Sequence, residues 1–239
     1  MTLRWVPGPG NLILKNEMVE ADPFFNNVSL LLHGDGANGS TTIVDSSPSP
    51  KTVTAFGDAQ ISTAQSKFGG ASIAFDGSTD YLTIPSSSAF AFGLANFTIE
   101  LWLYRSGSGQ QHLYDARDVG VNTNRILLYL NSSNELTYFS NNAVRITTTN
   151  VPTLNAWVHV ALCRASGNSR LFLDGIQVGA TFADTINIVS PTITVAIGAN
   201  NEGARSLNGY IDELRITKGV ARYTANFTPP TAPFPEVLG

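Results

Sequence analysis

From Phe24 onward, apolar and polar residues alternate with a period of two, the spacing of a strand that buries one face. The clearest case is 97–104. There Phe97, Ile99, Leu101 and Leu103 share one face, and Thr98, Glu100, Trp102 and Tyr104 share the other. Ile126, Leu128 and Leu130 line one face of a second strand, and Ile193, Val195 and Ile197 one face of a third. Similar runs predict strands near 28–32, 52–56, 72–75, 81–84, 136–139, 144–147, 157–164 and 210–216. Asp174-Gly175 stands between Leu171-Phe172-Leu173 and Ile176-Gln177-Val178, and it suits the positive φ values of a two-residue hairpin turn. No stretch carries a helical stripe of useful length. Many short strands joined by Gly, Asn and Ser turns predict an all-β fold of two packed antiparallel sheets.

The two ends break the pattern. Residues 1–22 contain Pro7-Gly8-Pro9-Gly10 and one short apolar run, Leu12-Ile13-Leu14. We read them as an N-terminal extended arm that docks on a neighbouring subunit, and residues 23–239 as the sandwich. Pro229-Pro230, Pro233 and Pro235 make the last segment an extended strap over the surface.

Composition narrows the function classes. The chain has 239 residues, 43% of them hydrophobic and only 13% charged, which suits one β-rich domain with a sizeable core. The net charge is −4 and no Lys/Arg run exists, which argues against nucleic-acid binding. Cys163 is the single cysteine, so an internal disulfide and a cysteine zinc cluster are excluded. Within 158–163 it reads as a small buried hydrophobe. The N-terminus does not read as a signal peptide, and no apolar run is long enough for membrane insertion.

Several segments together resemble a known family. Lys67-Phe68-Gly69-Gly70-Ala71-Ser72-Ile73-Ala74-Phe75-Asp76-Gly77, followed by Asp80-Tyr81-Leu82-Thr83-Ile84, resembles the early signature of the concanavalin A-like lectin/glucanase superfamily. Phe97-Thr98-Ile99-Glu100-Leu101-Trp102, Trp157-Val158-His159-Val160-Ala161 and Gly209-Tyr210-Ile211-Asp212-Glu213-Leu214-Arg215-Ile216 resemble later ones. Gly219-Val220-Ala221-Arg222-Tyr223-Thr224-Ala225-Asn226-Phe227-Thr228-Pro229-Pro230 is similar to the laminin G-like modules of bacteriophage structural proteins. The resemblance implies a concanavalin A-like jelly-roll sandwich. It also implies a non-enzymatic virion structural protein, either a capsid decoration or a tail or fibre surface protein. Such a protein would sit on the virion surface as a homo-oligomer, with a trimer as the natural expectation. Its arm would contact other virion proteins and its loops host or environmental glycans. The alternatives are a stand-alone carbohydrate-binding module outside a virion and a glycoside hydrolase.

The acidic residues weigh against hydrolysis. Retaining chemistry needs two carboxyls about 5–5.5 Å apart, which alternate positions on one strand can supply. Glu100 stands alone, with Trp102 and Tyr104 at the following same-face positions. Asp212 and Glu213 are adjacent and predicted on opposite faces, with Glu213 and Arg215 an exposed ion pair and Asp212 sharing its face with Leu214 and Ile216. Asp115 and Asp118 fall in a predicted loop. His33, His112 and His159 are far apart, and His159 reads as packed.

The family also implies Ca²⁺ at the sandwich rim. Asp76 and Asp80, flanking Gly77-Ser78-Thr79, are the best candidate metal ligands, with Asp35 behind them. The same pair fits plain turn chemistry. For glycans, Tyr104, Tyr114, Arg117, Arg125 and residues 200–205 are candidates, with 122–124 and 200–202 as loop rims. Trp102 and Trp157 are expected in the core.

Overall fold

The structure is a computed structural model that describes residues 21–237. The predicted arm therefore lies outside the described residues, except for Ala21 and Asp22. Fifteen strands follow in order: β1 (Val28–Leu32), β2 (Thr54–Phe56), β3 (Gln60–Ser62), β4 (Ser72–Asp76), β5 (Tyr81–Pro85), β6 (Phe97–Arg105), β7 (Gln111–Asp115) and β8 (Ile126–Leu130). The rest are β9 (Leu136–Ser140), β10 (Ala143–Thr147), β11 (Trp157–Ala165), β12 (Asn168–Leu173), β13 (Ile176–Ala183), β14 (Thr194–Ile197) and β15 (Asn208–Lys218). Among the described residues the helical segments are two single 3₁₀ turns, Phe25–Asn27 and Ser88–Phe90.

The strands form two antiparallel sheets. The 8-stranded sheet runs β13-β12-β11-β6-β15-β4-β3, with β1 also paired to β15, and the 7-stranded sheet runs β10-β9-β8-β7-β14-β5-β2. The alternating apolar positions meet between them. Phe97, Ile99, Leu101 and Leu103 of β6 share one core with Ile126, Leu128 and Leu130 of β8 and Val195 and Ile197 of β14. Each such fully buried side chain stabilises the sandwich by about 1.5–3 kcal/mol. Asp174 and Gly175 form the predicted turn between β12 and β13, with φ of 48° and 77°.

Three local readings change. Ile193 precedes β14 and is exposed, so the core face of that strand begins at Val195. Asp115 is not in a loop. It ends β7, a strand hidden from a period-two reading because a register shift between His112 and Tyr114 sends both Leu113 and Tyr114 into the core. On β15 a bulge between Asp212 and Arg215, with Glu213 at φ 51°, breaks the alternation. Ile211, Leu214 and Ile216 enter the core, while Asp212 does not share their face. Glu213 and Arg215 are buried rather than an exposed pair.

The C-terminal strap crosses the outer side of the 8-stranded sheet. Tyr223 and Phe227, stacked at 3.5 Å between centroids, cover Ala161, Cys163 and Phe172. Phe234 packs on Val28 and Leu31, and its ring lies 3.7 Å from the Arg215 guanidinium. The Phe227 amide donates to the Gly175 carbonyl at 2.9 Å, and a Cβ on Gly175 would overlap the Phe227 carbonyl. Gly175 thus serves both the hairpin turn and the strap crossing.

Candidate functional site

Glu100 lies on the central strand β6 with its side chain on the outer side of the 8-stranded sheet. It is fully buried beneath the strap. Arg215 Nη2 lies 2.9 Å from its Oε1, the Tyr223 hydroxyl donates to Oε2 at 2.8 Å, and His159 Nε2 lies 3.3 Å from Oε2. Asp22 completes the network, paired with Arg222 at 2.6 Å and Arg215 at 3.3 Å. Asp22 is therefore locked into the sandwich, although the sequence reading placed it at the end of the arm. Burial alone would raise the Glu100 carboxyl, but Arg215, His159 and Arg222 outweigh it and hold it at about 2. A general acid needs the opposite shift and access to substrate.

The neighbouring acids are also committed. Asp212 accepts the backbone N–H groups of Lys67 at 2.7 Å and Phe68 at 3.1 Å, and burial pushes it up to about 7. Glu213 bonds His33 Nδ1 at 2.7 Å and accepts the Phe234 amide at 2.7 Å. The bulge turns Asp212 and Glu213 to the same outer side rather than to opposite faces, but each is held by different partners. Cys163 is buried under the strap, with its thiol raised to about 12 by burial.

Asp76 and Asp80 lie together, as their spacing predicted. The Asp80 carboxylate accepts the amides of Asp58 at 2.6 Å and Asp76 at 2.9 Å, and Asp76 Oδ1 accepts the Ser78 amide at 2.7 Å. Oxygens that point at N–H donors do not present a cage of six to eight ligands, so these residues do not fit a calcium ion. Among the described residues no group of three or more His, Cys, Asp or Glu side chains is placed to hold a metal.

The aromatic expectations divide. Tyr114 is fully buried in the core, and burial raises its hydroxyl far above the usual range, so it cannot meet a ligand. Trp102 is buried, but on the outer side of β6 and not in the intersheet core. Lys67 Nζ lies 3.8 Å from its ring centroid and His159 packs edge-on at 5.2 Å. Trp157 is only half-buried and packs edge-on against Tyr104 on the same face, at 5.5 Å.

The outer side of the 7-stranded sheet holds an open polar pocket. Its volume is about 240 Å³, and Asp115, Arg117, Asp118, Val119, Gly120, Asn122, Asn200, Asn201 and Glu202 line it. Of the two rims read from sequence, it takes Asn122 alone from 122–124 and all three residues of 200–202. Its floor is Asp115, whose two oxygens accept Arg117 Nε at 2.9 Å and Nη2 at 2.8 Å, with His112 Nδ1 at 3.2 Å. Burial would raise the Asp115 carboxyl, but these bonds hold it below the usual range. Arg117 Nη1 also donates to Asn122 at 3.2 Å. Asp118 ties the wall to its surroundings, pairing with Arg125 at 2.9 Å and accepting the Thr192 amide at 2.7 Å. Asn201 donates to the Arg117 carbonyl at 2.7 Å and so holds the two loops together.

Two half-buried aromatic rings flank this network. Tyr129 packs edge-on to His112 at 5.6 Å, and the Arg117 guanidinium lies 5.6 Å from the Phe139 centroid. Sequence reasoning missed both rings, along with His112 and Asp115. The alternation of β8 and β9 does place Tyr129 and Phe139 opposite the core positions, which is the one signal that could have found them.

A family model described as concanavalin A-like lectin/glucanases superfamily, of laminin G type, matches residues 76–222. No curated protein matches the sequence. Among solved structures, the chain is similar to domain 4 of AbnA, a GH43 extracellular arabinanase from Geobacillus stearothermophilus, in complex with arabinotriose. The TM-score is 0.61 at 17% identity, covering 82% of this chain and 94% of that one. It is also similar to the binding domain of Paraclostridial Mosquitocidal Protein 1, with TM-score 0.64, 13% identity, and 82% and 50% of the two chains covered. A third likeness is to botulinum neurotoxin type C, which depends on two ganglioside molecules to get into cells, with TM-score 0.59, 15% identity, and 82% and 49% covered. The chain spans about half the length of both toxin chains. At these identities the likeness is one of fold.

Proposed function

This chain belongs to the concanavalin A-like lectin/glucanases superfamily, and on that premise we propose that it is a non-enzymatic carbohydrate-binding domain whose sugar site is the pocket on the open sheet. The observation that carries the reading is the convergence of residues 115–122 and 200–202 on one polar concavity, whose Arg117 lies over Phe139 and whose Asp115 bonds His112, which packs on Tyr129. A sugar needs fixed donors and acceptors for its hydroxyls and an apolar ring face for its C–H groups. The arabinotriose and ganglioside ligands of the structural neighbours support the choice of ligand class. The burial of Glu100 under the strap supports a non-catalytic role. The test is a glycan array followed by amide chemical-shift mapping with the best binder, including arabinotriose as a probe. Shifts should cluster at 115–122 and 200–202 and persist in EDTA. Absence of any glycan binding, or shifts confined to the opposite face, would reject the reading.

The setting we propose is the surface of a bacteriophage particle, with a homo-oligomer, a trimer by expectation, held to other virion proteins by the N-terminal arm. It rests on the resemblance of 219–230 to phage structural modules. Mass spectrometry of purified particles should detect the chain, and its absence from them would return the protein to a stand-alone module.

A further inference from the structure

We infer that the pocket selects neutral sugars and that Glu202 is the residue that turns acidic ones away. The inference rests on the glycan-binding reading above and names the ligand class of that site. The charges of the lining decide it. Three carboxylates, Asp115, Asp118 and Glu202, border the cavity, against one lining cation, Arg117. Asp115 is answered by Arg117 at 2.8 Å, and Asp118 by Arg125 at 2.9 Å from behind the wall. Glu202 is exposed, and among the described residues it pairs with no cation. The unanswered charge of the pocket is therefore negative.

The cation is also unavailable as an anion receptor. Arg117 spends Nε and Nη2 on Asp115 and Nη1 on Asn122, so a sugar carboxylate would have to compete with a buried aspartate for it. Arg205 stands further along the same loop but does not line the cavity. What the pocket offers suits hydroxyls instead. Glu202 can accept from a sugar hydroxyl. The amide nitrogens of Asn122 and Asn200 donate to no described residue, while their oxygens are already engaged by Arg117 and by the Glu202 and Ala204 amides. One acceptor and two donors on the same cavity lining match the mixed polarity of neighbouring hydroxyls on an uncharged ring.

The test uses neutral and acidic partners: galactotriose against trigalacturonate, where each C6 hydroxymethyl becomes a carboxylate, and lactose against 3′-sialyllactose, which adds one anionic residue, alongside the best array binder and its uronic counterpart. Wild-type protein should bind the neutral member of each recognised pair at least about tenfold more tightly, with the gap narrowing as salt rises. Glu202→Lys should shrink or reverse that ratio by about tenfold or more, and Glu202→Gln should shrink it less. Among the described residues the Glu202 side chain makes no hydrogen bond, so an unchanged thermal melt is the expected folding control for both variants. Equal or tighter wild-type binding to the acidic members, or a ratio indifferent to Glu202→Lys, would overturn the inference while leaving glycan binding intact. Loss of binding to every glycan tested would reject the underlying reading as well.

Discussion

The two outer faces of this sandwich carry similar chemistry and use it in opposite ways. On the 8-stranded sheet, Glu100, Asp22, Arg215 and Arg222 pair beneath a C-terminal strap that excludes water. On the 7-stranded sheet, Asp115, Arg117, Asp118 and Arg125 pair around a cavity that stays open. The difference is the roof. Tyr223, Phe227 and Phe234 close the first face with apolar surface, so its charges are satisfied by one another and serve the fold. No comparable segment crosses the second face among the described residues. Its ion pairs fix the positions of loops that can meet a ligand.

The comparison breaks most readily at Glu100. Glu100→Gln leaves Arg215 and Arg222 buried with Asp22 as their remaining carboxylate partner, and should cost about 3–5 kcal/mol in a urea melt. Glu202→Gln on the open face should fall within about 0.5 kcal/mol of wild type. A Glu100→Gln cost below about 1 kcal/mol would mean that the strap's apolar contacts alone hold the sealed face. The same network sets the acid limb. A carboxyl held at about 2 when folded and near its ordinary value of 4.5 when unfolded contributes stability that is fully present above pH 4.5. That contribution is lost as pH falls toward 2, amounting to about 3 kcal/mol, and Glu100→Gln should flatten this limb.

Asp212 gives a weaker effect of opposite sign. Its folded-state value is raised to about 7, chiefly by burial, so ionising it costs stability as pH rises from about 4 toward 7. Asp212→Asn keeps an oxygen for the Lys67 and Phe68 amides. It should therefore stabilise the protein by on the order of 2 kcal/mol at pH 8 and by little at pH 4. A gain of equal size at both pH values would show that packing rather than ionisation is responsible. The smallest expected effect sharpens the open face. Tyr129→Ala should weaken glycan binding by about tenfold, roughly 1.4 kcal/mol, and leave the melt nearly unchanged. Unaltered affinity would move the stacking surface to Phe139 or elsewhere.

The same contrast explains what could be read in advance. Strand β6 and the Asp174-Gly175 turn were legible because their signals are local: strict alternation in one case, two residues suited to positive φ in the other. The bulges in β7 and β15 were not legible, since an extra residue shifts the faces without changing the composition. That shift hid Asp115 as a strand residue and turned the expected exposed pair Glu213 and Arg215 into buried groups. The rims 122–124 and 200–202 were recognisable as polar loops, but they meet only because β7 and β14 are neighbours in the 7-stranded sheet.

The sequence by itself determined the two-layer all-β architecture, the hairpin and the strap, because backbone periodicity, turn preference and proline stiffness act over a few residues. Only the tertiary structure decided which carboxylates are sealed and which are open. Glu100 meets Arg215 across 115 positions and Asn201 reaches the Arg117 carbonyl across 84. Electrostatics and burial depend on proximity in space, which sheet order creates and local patterns do not encode.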